Sequence, residues 1–345
     1  MKRLLAIIGC AILLALVCVQ LYSLHINRDM HFFLRAANAS DAWAEHIQAG
    51  TRPVYVMTGG SETRSGVDPQ IMLDEFGLPL INAASGAGYG LQTNAATAFK
   101  YLKPGDTLVL SVLSTVDENI PPSANGVKLA AYRLGTSVFD SGMIEPSLEN
   151  AGKFLSSDVR AMFALLMRYF GRSGRLYKYD RQTVIHPSGW MDIQYREMDK
   201  YKLHAGICAA DMLPLAEDSA CMDTLRKLRD YCQKRGIRMI VSIPVSCHHE
   251  SLRPQYAMQA LCVMRLNIPV LKDERLGCLP VPTDFADTPA HLNSKAAKEN
   301  SRLLAHLLQN NQFWTEEELT ATLHSMGWNS DGSPANEPAT QHAKP

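Results

Sequence analysis

The sequence predicts an α/β protein: a mainly parallel sheet with helices on both faces, a three-layer α/β/α sandwich, preceded by a transmembrane helix. Three observations carry this. Between residues 54 and 113 apolar runs of strand length alternate with helical patterns. The same alternation resumes beyond residue 220. In front of both, residues 4–24 form an uncharged apolar run behind Lys2 and Arg3.

The elements follow in order. Val54-Tyr55-Val56-Met57 is a short apolar run ended by Thr58-Gly59-Gly60, hence a buried strand and a sharp turn. A helix is expected over about 69–76, a strand over 79–82 and a helix over about 91–102. A third strand, 106–113, is opened by the turn Pro104-Gly105-Asp106. Parallel strands need crossovers of a dozen or more residues, and a βαβαβ rhythm supplies them. Further on come a helix Met222–Arg235 stopped by Gly236, a strand Arg238–Ile243 ended by Pro244, and a last short strand Leu266–Leu271. Helix Ser294–Leu308 turns Ala297, Leu303, Leu304 and Leu307 to the sheet, and Thr315 with Glu318 forms a capping box for a final short helix.

With 345 residues, 46% of them hydrophobic, the chain can bury one large core or two small ones. Its net charge of zero gives no footing for a nucleic-acid partner. The run Leu4–Leu24 would rise about 31 Å as a helix, the thickness of a bilayer core. No small-x-small cleavage site follows it, so it reads as an uncleaved anchor with Lys2 and Arg3 inside and the body outside, in the periplasm or cell exterior. The domain plan is an anchor over 1–24, a stalk over 25–52, one α/β domain over 53–326 with an insertion at about 116–205, and a disordered tail over 327–345.

Cys208, Cys221, Cys232, Cys247, Cys262 and Cys278 all fall in the exported part, and an even number there predicts disulfides of undetermined pairing. Cys247-His248-His249 lacks a second ligand pair, so no metal and no cofactor is expected. Within the insertion, Phe163–Phe170 is apolar at helical spacing and reads as core. Arg168, Arg172, Arg175, Lys178 and Arg181, interleaved with tyrosines, read as a solvated surface, with a glycan or lipid-headgroup grip as the alternative. His186 and Trp190 flank a Pro-Ser-Gly turn that could line a cleft.

Two separated motifs carry chemistry. Ser61 follows the first strand directly, where ligands of parallel sheets bind. Far downstream lies Asp287-Thr288-Pro289-Ala290-His291. Each has an ordinary explanation alone: a serine after two glycines is a turn or cap residue, and Asp-x-x-x-His is a surface helix pair. Together they supply a nucleophile, a base and a carboxylate that orients the base, Asp287 standing one helical turn before His291.

With these residues in place the chain resembles the SGNH (GDSL-like) hydrolase superfamily, and its membrane-anchored members that act on envelope polysaccharides. Gly59-Gly60-Ser61 with Gly66 resembles the first block; Leu80 to Gly90, with Gly86, the second; Phe285 to Asn293 the last. The resemblance implies a flavodoxin-like sandwich, a Ser61–His291–Asp287 triad, and an oxyanion hole from the N–H groups of Ser61 and Gly86. It also implies an acylated, chiefly acetylated, envelope glycan as substrate and a multipass membrane acyltransferase as partner. The chain departs from the pattern in three places. Three residues separate Asp287 from His291 instead of two, leaving Asp284 as the alternative carboxylate. Ser114 to Asp117 stand where an asparagine is usual, and Ala296 replaces a glycine. The expected function is therefore an exported serine esterase or O-acyltransferase. The alternative is a non-catalytic accessory protein that binds glycan or scaffolds an acylation complex.

Overall fold

The structure is a computed structural model describing residues 2–26, 28–50, 53–86, 89–111, 124–134, 142–144, 147–149, 151–152, 156, 183–194, 219–247 and 250–335. Its sheet holds β1 (Tyr55–Thr58), β2 (Leu80–Asn82), β3 (Thr107–Ser111) and a later strand, Arg238–Ser242, all parallel. The spatial order places β1 between β2 and β3, with Arg238–Ser242 outside β3. Chain direction across the sheet thus reverses at β1, and the crevice at the carboxyl ends of β1 and β3 is where such sheets bind ligands.

Side-chain alternation divides the core. Val56, Ile81, Leu108, Leu110, Met239 and Val241 face one hydrophobic cluster. Their neighbours Met57, Leu80, Val109 and Ile240 face another. Because successive strand residues point to opposite faces, one apolar run serves both layers. The first cluster is shared with α2 (Arg28–Gln48), α5 (Leu91–Phe99), α7 (Ala220–Lys234), α8 (Arg253–Arg265) and α10 (Glu316–Ser325). The second is shared with α4 (Pro69–Phe76) and α9 (Ser294–Gln309). Between β1 and α4 stands a six-residue helix, α3 (Ser61–Gly66). The arrangement is α/β and compatible with a three-layer sandwich.

Local chemistry sets the ends of these helices. Asp68 caps α4 by accepting the Gln70 N–H, Pro69 occupies the first turn, and Gly77 stops it at φ +61°. Asn293 caps α9 through the Ala296 N–H, and Thr315 and Glu318 complete the expected capping box on α10.

Several expectations are corrected. The stretch read as a stalk is mostly α2, packed onto the body. Phe32, Ala36, Ser40, Trp43, Ala44 and Ile47 are buried along one stripe, and the Trp43 indole N–H donates to Leu80 O at 2.8 Å. The stripe is dilute, with Ala and Ser at contact positions, so it does not read as strongly amphipathic. The strand expected at 266–271 is reduced to isolated bridges, Val241 with Val270 and Leu271 with Phe313. Inside the insertion, α6 (Ala124–Leu134) packs on α5, and β4 (Thr183–Ile185) pairs antiparallel with β5 (Met191–Ile193). Residues 329–335, assigned to the tail, turn back so that Trp328 bridges Pro334. Residues 112–113 of the third strand, 114–117, 163–181, Cys208, His248 and His249 lie outside the described residues.

Among the described residues Cys232, Cys247 and Cys278 carry free thiols. Cys221, Cys232, Cys262 and Cys278 pack in the large cluster, whereas Cys247 faces a separate one around Phe285. Cys232, Cys247 and Cys278 fill the core as small apolar side chains and form no disulfide with one another, unlike the expectation for these three. Burial pushes the Cys232 and Cys278 thiols up to about 12.

Among the described residues no helix is long and apolar enough to cross a membrane. The N-terminal helix α1 (Lys2–Ile26) has described side chains only from Lys2 to Cys18. Along that stretch Leu4, Leu5, Ile7, Leu13 and Leu14 are each more than half exposed.

Candidate active site

Ser61 is the first residue of α3, set there by the turn Gly59-Gly60 at the carboxyl end of β1. Only glycine fits at 59: a Cβ there would stand 2.5 Å from Ser111 O and 2.5 Å from Thr63 Oγ1. At Gly60 a Cβ would collide with the Glu62 carboxylate. The turn is therefore pressed against β3 with no room for a side chain.

Asp287 and His291 are brought together by a loop and not by the expected helical turn. Pro289 lies between them and has no N–H to give. Phe285 and Leu292 pair as an antiparallel bridge, and the Ala286 N–H donates to His291 O at 2.8 Å. Both bridge residues are buried beside Trp190, Val245 and Ala297, which fixes the loop's two ends.

The geometry is a relay. His291 Nδ1 lies 2.7 Å from Asp287 Oδ1, and His291 Nε2 lies 2.8 Å from Ser61 Oγ. An ionised carboxylate can only accept, so Asp287 keeps the proton on Nδ1 and leaves Nε2 to accept from the serine hydroxyl. Asp287 and His291 are each about 4% exposed, so this relay is shielded from bulk water, whereas Ser61 remains partly open. Asp284 belongs to a 3₁₀ turn, where its carbonyl accepts the Asn293 N–H. Of the two carboxylates it is Asp287 that faces the ring.

Gly86 lies on the loop after β2, and this loop runs alongside the Gly59-Gly60 turn. The Ala83 N–H donates to Met57 O at 2.7 Å and the Ser85 N–H to Gly59 O at 3.1 Å. At the start of α3 the first-turn N–H groups, Ser61 among them, precede any intrahelical acceptor. The two donors expected for an oxyanion hole thus sit on adjoining segments. Asn94 of α5 braces the Gly86 loop: its Nδ2 donates to Gly86 O at 3.3 Å and its Oδ1 accepts from Ser85 Oγ.

Sequence reasoning missed four supports. Glu62 is buried and its Oε1 accepts the Gly60 N–H at 3.0 Å; burial raises its pKa, and His291 opposes the rise. The other three are Asn82, Asn94 and Arg64, polar residues inside apolar surroundings, a burial that no local pattern signals. Trp190, expected on a cleft wall, is instead fully buried, its indole N–H donating to Ser65 O at 2.7 Å and its ring stacked on His186. No group of side chains suited to a metal ion occurs among the described residues. Compared with known families, characterised proteins and solved structures, the chain matches none.

Proposed function

We propose that this chain is a membrane-anchored serine esterase or O-acyltransferase of SGNH type, acting on acyl, chiefly acetyl, groups of a cell-envelope polysaccharide. The observation that carries the reading is the single imidazole bonded to Ser61 on one side and Asp287 on the other. A serine hydroxyl is a weak nucleophile until a base takes its proton, and this arrangement supplies the base in the required tautomer. Ser61 Oγ attacks the ester carbonyl and its proton passes to His291 Nε2. The carbonyl electrons move to the oxygen, where the N–H groups of Ser61 and Gly86 receive them, each good donor contributing about 3–4 kcal/mol. Collapse breaks the ester bond, and His291 returns the proton to the leaving alkoxide. Water or a sugar hydroxyl then takes the acyl group from Ser61 by the reverse route.

The anchor is part of the proposal. The anchor reading rests on the uncharged sequence run Leu4–Leu24, which extends past the described side chains of α1 and as a helix would rise about 31 Å against a bilayer core of about 30 Å. Among the described residues no protein surface covers the exposed leucines and isoleucines of α1, and Lys2 and Arg3 mark the cytoplasmic end. The glycan class and a multipass acyltransferase partner rest on the family resemblance.

The test is a fluorophosphonate probe on the purified full-length protein, together with release or transfer of acetate from an acetylated envelope polysaccharide. Labelling at Ser61, with turnover lost in Ser61→Ala, is the expected outcome. Absence of both, with glycan binding unchanged by Ser61→Ala, would replace this reading with a non-catalytic glycan-binding protein.

A further inference from the structure

Helix α3 carries the nucleophile on only six residues, too few for its own hydrogen bonds to fix its direction. Its orientation must come from outside. Arg64, one turn beyond Ser61, is almost wholly buried. Its Nη1 donates to Ser40 Oγ at 2.7 Å, Asn82 O at 2.8 Å and Gly189 O at 3.0 Å. Those acceptors belong to α2, to the end of β2 that leads into the Gly86 loop, and to the turn between β4 and β5. Ser40 Oγ itself lies 2.8 Å from Asn82 O, closing the network.

The surroundings are shaped to this one guanidinium. Gly189 has φ +80°, and a Cβ there would collide with Ser40 Oγ and approach Arg64 Nη1 at 3.2 Å. From the other side Asn82 Nδ2 donates to Thr63 O at 3.1 Å and Val67 O at 3.0 Å. No carboxylate pairs with Arg64 among the described residues. Burial and the nearby Arg133 pull its pKa down to about 9, still a cation at neutral pH. A cation buried on neutral acceptors is a poor way to gain stability, since an apolar side chain of similar volume would serve as well or better. What the guanidinium supplies, and an apolar side chain could not, is one rigid planar group tying together four separate segments.

We infer that Arg64 is a positioning residue that locks the nucleophile turn and the Gly86 loop to helix α2, making the helix that follows α1 a structural part of the active site. The inference rests on the proposed role of Ser61. Phe33 of α2 adds a second contact to the same loop, with its ring edge-to-face on Tyr89 and close to Gly86.

The experiment compares full-length wild type, Ser40→Ala, Arg64→Lys and Arg64→Met in detergent. It reads kcat and KM for a small acetate ester, the labelling rate of Ser61, thermal melting, and hydrogen–deuterium exchange across residues 59–66. Displacing a nucleophile by about 1 Å can cost on the order of 100-fold in rate, so Arg64→Met should lose about that in kcat and labelling with KM little changed. Arg64→Lys should recover part of it. Ser40→Ala, remote from the reacting atoms, should lower kcat several-fold and speed exchange in residues 59–66 while the protein stays folded. A folded Arg64→Met with wild-type kcat would overturn the proposal. Should Arg64→Met not fold, Ser40→Ala decides, and unchanged kcat and exchange in that variant overturn it. A wild type that neither labels nor turns over would end the hydrolase reading, while exchange in Ser40→Ala still decides the link to α2.

Discussion

In the proposed reaction the reactivity of Ser61 depends on two hydrogen bonds made by one imidazole, and each can be broken singly. Ser61→Ala and His291→Ala should each remove nearly all ester turnover, and the double variant should lose little more, because the relay acts as a unit. Asp287→Asn should cost less than either, with kcat for an acetate ester as the measure. Additive losses would show that the residues work separately. Glu62 gives a second prediction. Its folded pKa lies above the unfolded 4.5 because burial disfavours the carboxylate. Between those two values the folded chain holds a proton that the unfolded chain has released, so stability falls as pH rises through that window. Glu62→Gln keeps an acceptor for the Gly60 N–H and removes the titration. Denaturant midpoints from about pH 4 to about pH 8 should therefore fall less in the variant than in wild type. Equal slopes would mean that Glu62 does not titrate in this way.

At the scale of elements, α2 decides whether the N-terminal region is a tether or part of the domain. Trp43 is buried against the sheet and bonded to Leu80 O. Trp43→Ala should destabilise the domain by about 3–5 kcal/mol, read as a shift in the denaturant midpoint. A flexible stalk would tolerate it within about 0.5 kcal/mol. Sequence made several elements legible where caps and periodicity agreed: α4 begins and ends where Asp68, Pro69 and Gly77 put it, and α10 opens at its capping box. It failed for α2, whose buried face is largely alanine and serine, and for α8, whose apolar residues surround the helix and leave no single face to recognise.

For the whole molecule, the proposed anchor and the cysteines carry the remaining predictions. Full-length protein should stay with membranes through salt and alkaline washes, whereas deletion of residues 2–26 should release a folded, soluble domain. Recovery of the full-length chain in the soluble fraction would refute the anchor. Denaturation without reductant should expose reactive thiols at Cys232, Cys247 and Cys278, since these are separate packing groups in two different clusters. Thiols that stay blocked until reduction would show pairing instead.

What the sequence determined by itself was local: the α/β alternation, the serine at the end of the first strand, and the Asp-and-His pair downstream. Each depends on a periodicity, a turn or a spacing that short stretches of chain express. Tertiary structure alone decided which carboxylate faces His291, because Pro289 and the Phe285–Leu292 bridge make a loop where spacing suggested a helix. It alone placed Arg64 among Ser40, Asn82 and Gly189, and the cysteines in separate core positions. These contacts join residues up to 230 positions apart, as Ser61 and His291 are. Such closeness follows from strand order and the shared core, and no local segment encodes either.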